Sequence, residues 1–185
     1  YVIDAYNAEG VSKKLKAFGM TAEDESLEGI CVALKSWSPE KLFPCLDWLR
    51  YRILEGDAAA LSAVSSVPFD RILDSSDRSK EVIASVTMAL RVLCNATAMN
   101  CSSIDSLLLI RVIGKCTLTL NVTWIPLLIG LIGNCSLSGS FDASKAVPLL
   151  HGLLSKINKS GIDTFGDLTK GVYAILQFHK SKGQE

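Results

Sequence analysis

The side chains that most often carry enzyme chemistry are scarce in this sequence. It contains two histidines, His151 and His179. His179 lies in a basic C-terminal segment and is expected to be solvated, whereas His151 lies in an apolar helical run, as a packed histidine does. The sequence has no G-x-S-x-G, glycine-rich phosphate loop or H-E-x-x-H motif. A histidine and a distant cysteine could still form a dyad, but the pattern favours a protein that is not an enzyme and binds no cofactor or metal.

The six cysteines form no metal-binding or redox motif. No two of them have the C-x-x-C spacing that is typical of zinc sites and thioredoxin-like centres. Most lie inside apolar helical runs, which favours buried free thiols in a reducing compartment. They are Cys31, Cys45, Cys94, Cys101, Cys116 and Cys135.

Glycosylation sequons leave a second interpretation open. Five of the six asparagines begin an N-x-[S/T] triplet, as in a secreted glycoprotein. Asn95 and Asn134, however, each end an apolar helical run, where a glycan would not fit. The other three are Asn100, Asn121 and Asn158.

Two arginines with apolar neighbours are the strongest candidates for binding a ligand. Arg50 lies in LDWLRYR (residues 46–52) and Arg91 in ALRVLCN (residues 89–95). Because arginine keeps its charge in any environment, each side chain must pair internally, extend to solvent or face a groove. An internal ion pair and a groove cation that binds a carboxylate of a partner both remain possible.

The elements that would position these residues are helices. Apolar residues recur at helical spacing behind capping residues, and neither period-2 strands nor Asn-Gly turns interrupt them. Residues 117–122 are predicted to be a loop. The predicted helices begin at Asn7, at a capping-box-like pair Thr21 and Asp24, at Ser38-Pro39, at Pro44 and at Asp57, and then cover residues 71–73, 79–98, 103–113, Asn121 or Thr123 to 137, Asp142 to 154 and Asp163 to 178.

A charge-free stretch between Cys116 and Phe141 raises the question of a membrane span. Only residues 124–133 are continuously apolar, whereas a transmembrane helix needs about 20 such residues. We therefore expect a helix packed on all sides by other helices.

The segment LIGLIGN (residues 128–134) resembles ALRVLCN at an offset of 39 residues. This is close to the period of about 40 in helical solenoids, although two apolar helices can also resemble each other by chance.

Composition describes a globular domain without a strong charge preference. The chain has 185 residues, of which 49% are hydrophobic, and equal numbers of basic and acidic residues. This predicts one domain over residues 1–185 and gives no indication of nucleic-acid or membrane binding. Because the sequence begins with Tyr1, we expect the domain to be cut from a longer cytoplasmic or nuclear protein.

Several segments, taken in order, resemble the PUL domain, the C-terminal module of phospholipase-activating, ubiquitin-binding WD-repeat adaptors. Its opening helix resembles DAYN (residues 4–7) followed by KKLK (residues 13–16). Its F-P-x-L-D-x-L-R segment, the most specific of the matches, resembles FPCLDWLR (residues 43–50). Its A-L-R-x-x-x-N helix resembles residues 89–95, and the L-N-x-S end of a later helix resembles residues 132–136.

The resemblance implies an all-α, armadillo-like right-handed superhelix with a basic groove. In that family the groove binds the acidic C-terminal tail of the valosin-containing AAA ATPase, so that the protein is an adaptor in ubiquitin-dependent degradation, and ubiquitin is bound only by other domains. Arg50 matches a groove arginine, and Arg91, Asn95 and Asn134 lie on groove-facing helices.

One position departs from the family pattern, because Pro148 stands where a groove arginine is expected. Lys145 or His151 is a possible substitute for that arginine.

Two alternatives to the tail-binding function also remain. The first is a structural or self-associating helical domain, and the second is the PUL module of a desumoylating or thioredoxin-like multidomain protein.

Overall fold

The computed structural model describes residues 6–159 and 165–183, apart from the side chains of Cys101 and residues 165–169. Within these ranges the chain forms ten α-helices joined by turns and short 3-10 helices, and it contains no strand. This confirms the predicted all-α fold. The chain divides into two compact units, one ending at Met99 and one beginning at Asn100, and each unit is described separately.

Six helices make up the first unit, and most begin where the sequence places a capping residue. The Asn7 side chain accepts a hydrogen bond from the Gly10 amide at 2.9 Å, and the Asp57 carboxylate accepts from the amides of Ala59 and Ala60. The helices are α1 (Ala8–Ala17), α2 (Leu27–Ser36), α3 (Phe43–Leu54), α4 (Ala58–Ser62), α5 (Phe69–Leu73) and α6 (Lys80–Asn100, of which the last residue falls in the second unit).

The predicted helix start at Thr21 and Asp24 is wrong. Their side chains do make the reciprocal capping-box bonds, with the Thr21 amide and hydroxyl both donating to Asp24 Oδ2, but the segment is a turn. Helix α2 begins after Ser26, whose hydroxyl accepts from the Gly29 amide at 3.2 Å. At Ser38-Pro39 a short 3-10 helix forms instead of an α-helix.

Helix α3 is the centre of the first unit, because α1, α2 and α4 all pack against it. Its apolar side chains Leu46, Leu49 and Ile53 are at most 1% exposed. The polar side chains of Asp47 and Arg50 are buried among them. Arg52 of the same helix has a side chain that is 43% exposed, so α3 keeps one face at the surface, whereas the polar residues on its buried sides must find partners inside the protein.

The second unit is built around α8. Helices α9 and α10 pack against α8, and α7 packs against α9. Gly171 lets α10 approach closely, since an added Cβ would lie 2.9 Å from Cγ2 of Ile129 on α8. The unit comprises α7 (Ser106–Leu118), α8 (Ile125–Leu137), α9 (Ala143–Lys159) and α10 (Phe165–Ser181).

Helix boundaries in the second unit differ from the predicted ones by a few residues. Helix α7 is capped by Asp105 and extends to Leu118, so the first part of the predicted loop at residues 117–122 is helical. Asn121 caps a 3-10 turn that leads into α8, as the sequence indicates. Asp163, the predicted cap of the last helix, lies outside the described residues.

The charge-free stretch folds as a packed helix, since Leu128, Leu131 and Ile132 of α8 are fully buried. Helix α6 is long and apolar enough to cross a membrane by length and composition. However, 67% of its most apolar window is buried within the protein, and the core helix of a soluble protein meets the same criterion. It is therefore weak evidence for a membrane span.

The reactivity of the cysteine thiols provides a test of how tightly these helices pack. Cys45, Cys94 and Cys116 are buried and form no disulfide, and burial raises the pKa of each thiol from 9.0 to about 12. We expect iodoacetamide at about pH 8 to leave these three unmodified in the folded protein, because the reactive species is the thiolate. Cys31, which is partly exposed, should react first. Peptide mass spectrometry before and after denaturation measures both, and rapid modification of Cys94 without denaturant would contradict the packing.

Candidate functional site

Arg50, the leading candidate for a groove cation, is paired inside the first unit. Its Nε and Nη2 lie 2.8 and 2.7 Å from Oδ1 of Asp47, one helical turn earlier on α3. The side chain of Arg50 is 1% exposed and that of Asp47 10%. The structure thus shows the internal ion pair, which was one of the two interpretations of this arginine. Its contact with a partner remains a prediction.

Two stacked tyrosines lie beside this ion pair. The rings of Tyr6 and Tyr51 are 4.0 Å apart between centroids and nearly parallel, at 7°. Burial, followed by the negative charges of Asp47 and Glu25, raises the pKa of Tyr6 from 10.0 to about 12, against the opposing effect of Arg50. The phenol of Tyr6 thus has charges of both signs near it, two carboxylates and one guanidinium.

Arg91 has a different environment on α6. Its side chain is half-buried, and its Nε lies beneath the surface without a hydrogen-bond partner among the described residues. A buried donor left without an acceptor costs about 1–3 kcal/mol. An acceptor brought within reach of this atom would remove that cost, which makes Arg91 a candidate for binding a carboxylate.

The predicted asparagines are buried. Asn95 lies one turn after Arg91 on the same face of α6 and is fully inaccessible. Asn134 of α8 is 9% exposed. A glycan requires an accessible side-chain amide, so these two sequons cannot be glycosylated in the folded protein.

The remaining candidates lie in the second unit. His151 is exposed on α9, which packs against the helix that carries Asn134. Lys145 is half-buried on the same helix, and Pro148 is exposed in the helix interior. Arg50, Arg91 and Asn95 belong to the first unit, where Arg91 and Asn95 share one face of α6, and Asn134 and His151 belong to the second unit.

Sequence analysis allowed an internal ion pair for Arg50 but did not identify Asp47 as the partner. The spacing of Asp47 and Arg50 at i and i+3 on a helix was readable and indicates an ion pair. The stacking of Tyr6 on Tyr51 joins residues far apart in sequence, and no local signal predicts it. Within the described part of the chain, no group of three or more His, Cys, Asp or Glu residues is arranged to hold a metal ion.

Comparison with known families identifies the chain. The sequence model of the PUL domain matches residues 2–160, which is most of the chain and includes parts of both units. The chain therefore belongs to the PUL domain family, which confirms the resemblance found in its motifs and gives the helices an armadillo-like fold. Membership makes it a protein-interaction module. Searches of curated proteins and of solved structures find no match.

The buried ion pair makes a prediction about stability. Replacing Arg50 by Ala leaves the Asp47 carboxylate buried without its partner, and we expect a loss of about 3–5 kcal/mol in the free energy of unfolding. Urea denaturation followed by circular dichroism measures it. Arg78→Ala, at an exposed arginine in the same unit, is the matched control and should change stability by less than about 0.5 kcal/mol. Similar values for the two variants would show that the pair is dispensable.

The tyrosine stack makes a prediction about alkaline pH. Because the pKa of Tyr6 is raised in the folded state, its contribution to stability is complete below 10.0, the unperturbed value, and is lost as the pH rises towards about 12. Tyrosinate absorbance of the parent and of Tyr6→Phe, compared by subtraction, should show one phenol ionising near pH 12. Ionisation of Tyr6 near the unperturbed value, with the circular dichroism still native, would contradict this environment.

Proposed function

We propose that this domain binds the acidic C-terminal tail of the valosin-containing AAA ATPase, and that it is thereby an adaptor in ubiquitin-dependent degradation in the cytoplasm or nucleus. The proposal rests on membership of the PUL family, whose modules mediate protein interactions. The single structural observation that supports it is the Arg91 guanidinium, whose buried Nε has no acceptor among the described residues. Ubiquitin would be bound by other domains of the longer protein.

In this proposal Arg91 makes the first contact with the tail, because the Arg50 guanidinium is already paired and inaccessible. A carboxylate placed at Arg91 can accept two parallel hydrogen bonds from the planar guanidinium. Each charge-assisted bond contributes about 1.5–3 kcal/mol. A micromolar complex requires about 8 kcal/mol, so a few such contacts and one buried apolar side chain are sufficient.

Arg50 has an indirect role here. Its pairing with Asp47 holds the middle of α3, against which α1, α2 and α4 pack. Asn134 and His151 are proposed as contributors from the second unit, where His151 or Lys145 would supply the polarity that Pro148 does not. A reducing compartment is compatible with cysteines that form no disulfide, namely Cys31, Cys45, Cys94, Cys116 and Cys135.

The test is a titration of a fluorescein-labelled peptide with the sequence of the ATPase tail, followed by fluorescence anisotropy. We expect Arg91→Ala to weaken binding about tenfold or more, since it removes at least one charge-assisted contact. Arg78→Ala removes the same charge from an exposed position of the same unit and should bind like the parent. Rising salt should weaken the parent complex, because association between opposite charges is screened.

Two results would count against the proposal. Equal affinity of Arg91→Ala and the parent would remove Arg91 from the site, and absence of binding by the parent would remove the tail as its ligand. Concentration-dependent self-association in sedimentation, together with absence of peptide binding, would favour the self-associating alternative.

A further inference from the structure

A second surface of the first unit has the opposite chemistry to Arg91. The end of α1, the turn that follows it and the outer face of α2 enclose an open cleft of about 490 Å³. Its apolar lining includes Phe18 and Val32, which are 38% and 60% exposed, and the half-buried Trp37. Aromatic side chains in a concavity of this size are typical of sites that accept a large apolar side chain.

The rim of the cleft is acidic. Glu23, Asp24 and Glu28 line it and are exposed, and the described residues that line it include neither lysine nor arginine. The hydroxyl and amide of Thr21 donate hydrogen bonds to Asp24 and lower the pKa of its carboxyl, so this carboxylate stays ionised. Lys41 lies outside the lining, with its Nζ 6.0 Å from the centroid of the Phe18 ring.

Contacts within the protein hold the walls of the cleft in place. The rings of Phe18 and Trp37 meet edge to face, with centroids 5.6 Å apart and planes at 87°. The turn lies directly against α2 at Gly29, where an added Cβ would collide with the carbonyl oxygen of Asp24. These contacts fix the acidic turn above the apolar floor before any ligand arrives, which lowers the cost of binding.

We propose that this cleft binds an extended segment of a partner protein in which a large apolar side chain is flanked by lysine or arginine. The apolar side chain would lie against Val32 and Trp37, and the cations would face Glu23, Asp24 and Glu28. Charge decides between the alternative occupants. An acidic tail, a nucleic acid or the same cleft of a second copy would each bring like charges together, whereas a basic segment brings opposite charges.

A selection experiment identifies the sequence that the cleft prefers. The whole chain is immobilised and a phage-displayed library of random dodecapeptides is selected on it. We expect enrichment of peptides with an aromatic or branched aliphatic residue between basic residues. Enrichment of acidic or uncharged peptides would overturn the proposal, and so would the absence of any enrichment.

Matched variants then locate the binding site of the enriched peptides. Val32→Lys removes an exposed apolar contact and adds a repelling charge, and it should weaken the binding of a labelled selected peptide about tenfold. Leu137→Lys makes the same change at an exposed position of α8 (69% exposed) and should have no effect. Glu23→Gln combined with Glu28→Gln should weaken binding and reduce its dependence on salt. Unchanged affinity for Val32→Lys would overturn the assignment to this cleft.

Failure of this proposal can be distinguished from failure of the proposed tail binding. Arg91 does not line the cleft, so Val32→Lys should bind the acidic tail peptide like the parent. Conversely, Arg91→Ala should bind the selected basic peptides like the parent.

Discussion

The ion pair between Asp47 and Arg50 is the constraint on which the first unit depends. Both side chains lie on α3, the helix that three neighbours surround, and both are almost entirely shielded from bulk water. A buried guanidinium is tolerated only when its charge is compensated nearby, and here the carboxylate one turn away compensates it. Because both partners belong to α3, the helix compensates its own buried charge, and Leu46 and Leu49 can be buried beside it without an ionic partner from another helix.

The two arginines with apolar neighbours differ in how their guanidinium groups are partnered. Arg50 and Arg91 have similar sequence environments, with apolar residues on both sides, yet their chemistry differs. Arg50 uses its charge within the fold, whereas Arg91 keeps a donor for which the described residues supply no acceptor. Charge is also distributed unevenly over the first unit. The chain as a whole has no net charge, yet the cleft beside Phe18 and Trp37 has an acidic rim. Surfaces of opposite charge on one interaction module would select different ligands, because each surface repels the ligand of the other.

Much of the fold could be predicted from the sequence. Asn7, Asp57 and Asn121 mark starts of helical segments because a short polar side chain can satisfy backbone amides that lack helical partners. Thr21 and Asp24 make the same kind of hydrogen bonds without starting a helix, since capping is a local interaction and the turn that follows does not continue into the helical conformation. The extension of α7 to Leu118 was missed because Thr117 and Leu118 alternate with their neighbours. In the structure the helix continues past Cys116, and the Thr117 hydroxyl donates a hydrogen bond to the carbonyl oxygen of Ile113 one turn earlier.

The sequence by itself determined the helical class, the family and the pool of candidate residues. These follow from local properties, namely the spacing of apolar residues, the capping side chains and motifs such as FPCLDWLR. Only the tertiary structure decided which arginine is inaccessible, which asparagines are buried and where Phe18, Val32 and Trp37 meet an acidic turn. The physical reason is that burial and electrostatic pairing depend on neighbours that are distant in the chain, as Tyr6 is from Tyr51. The spacing of residues along the sequence does not indicate which distant residues will meet.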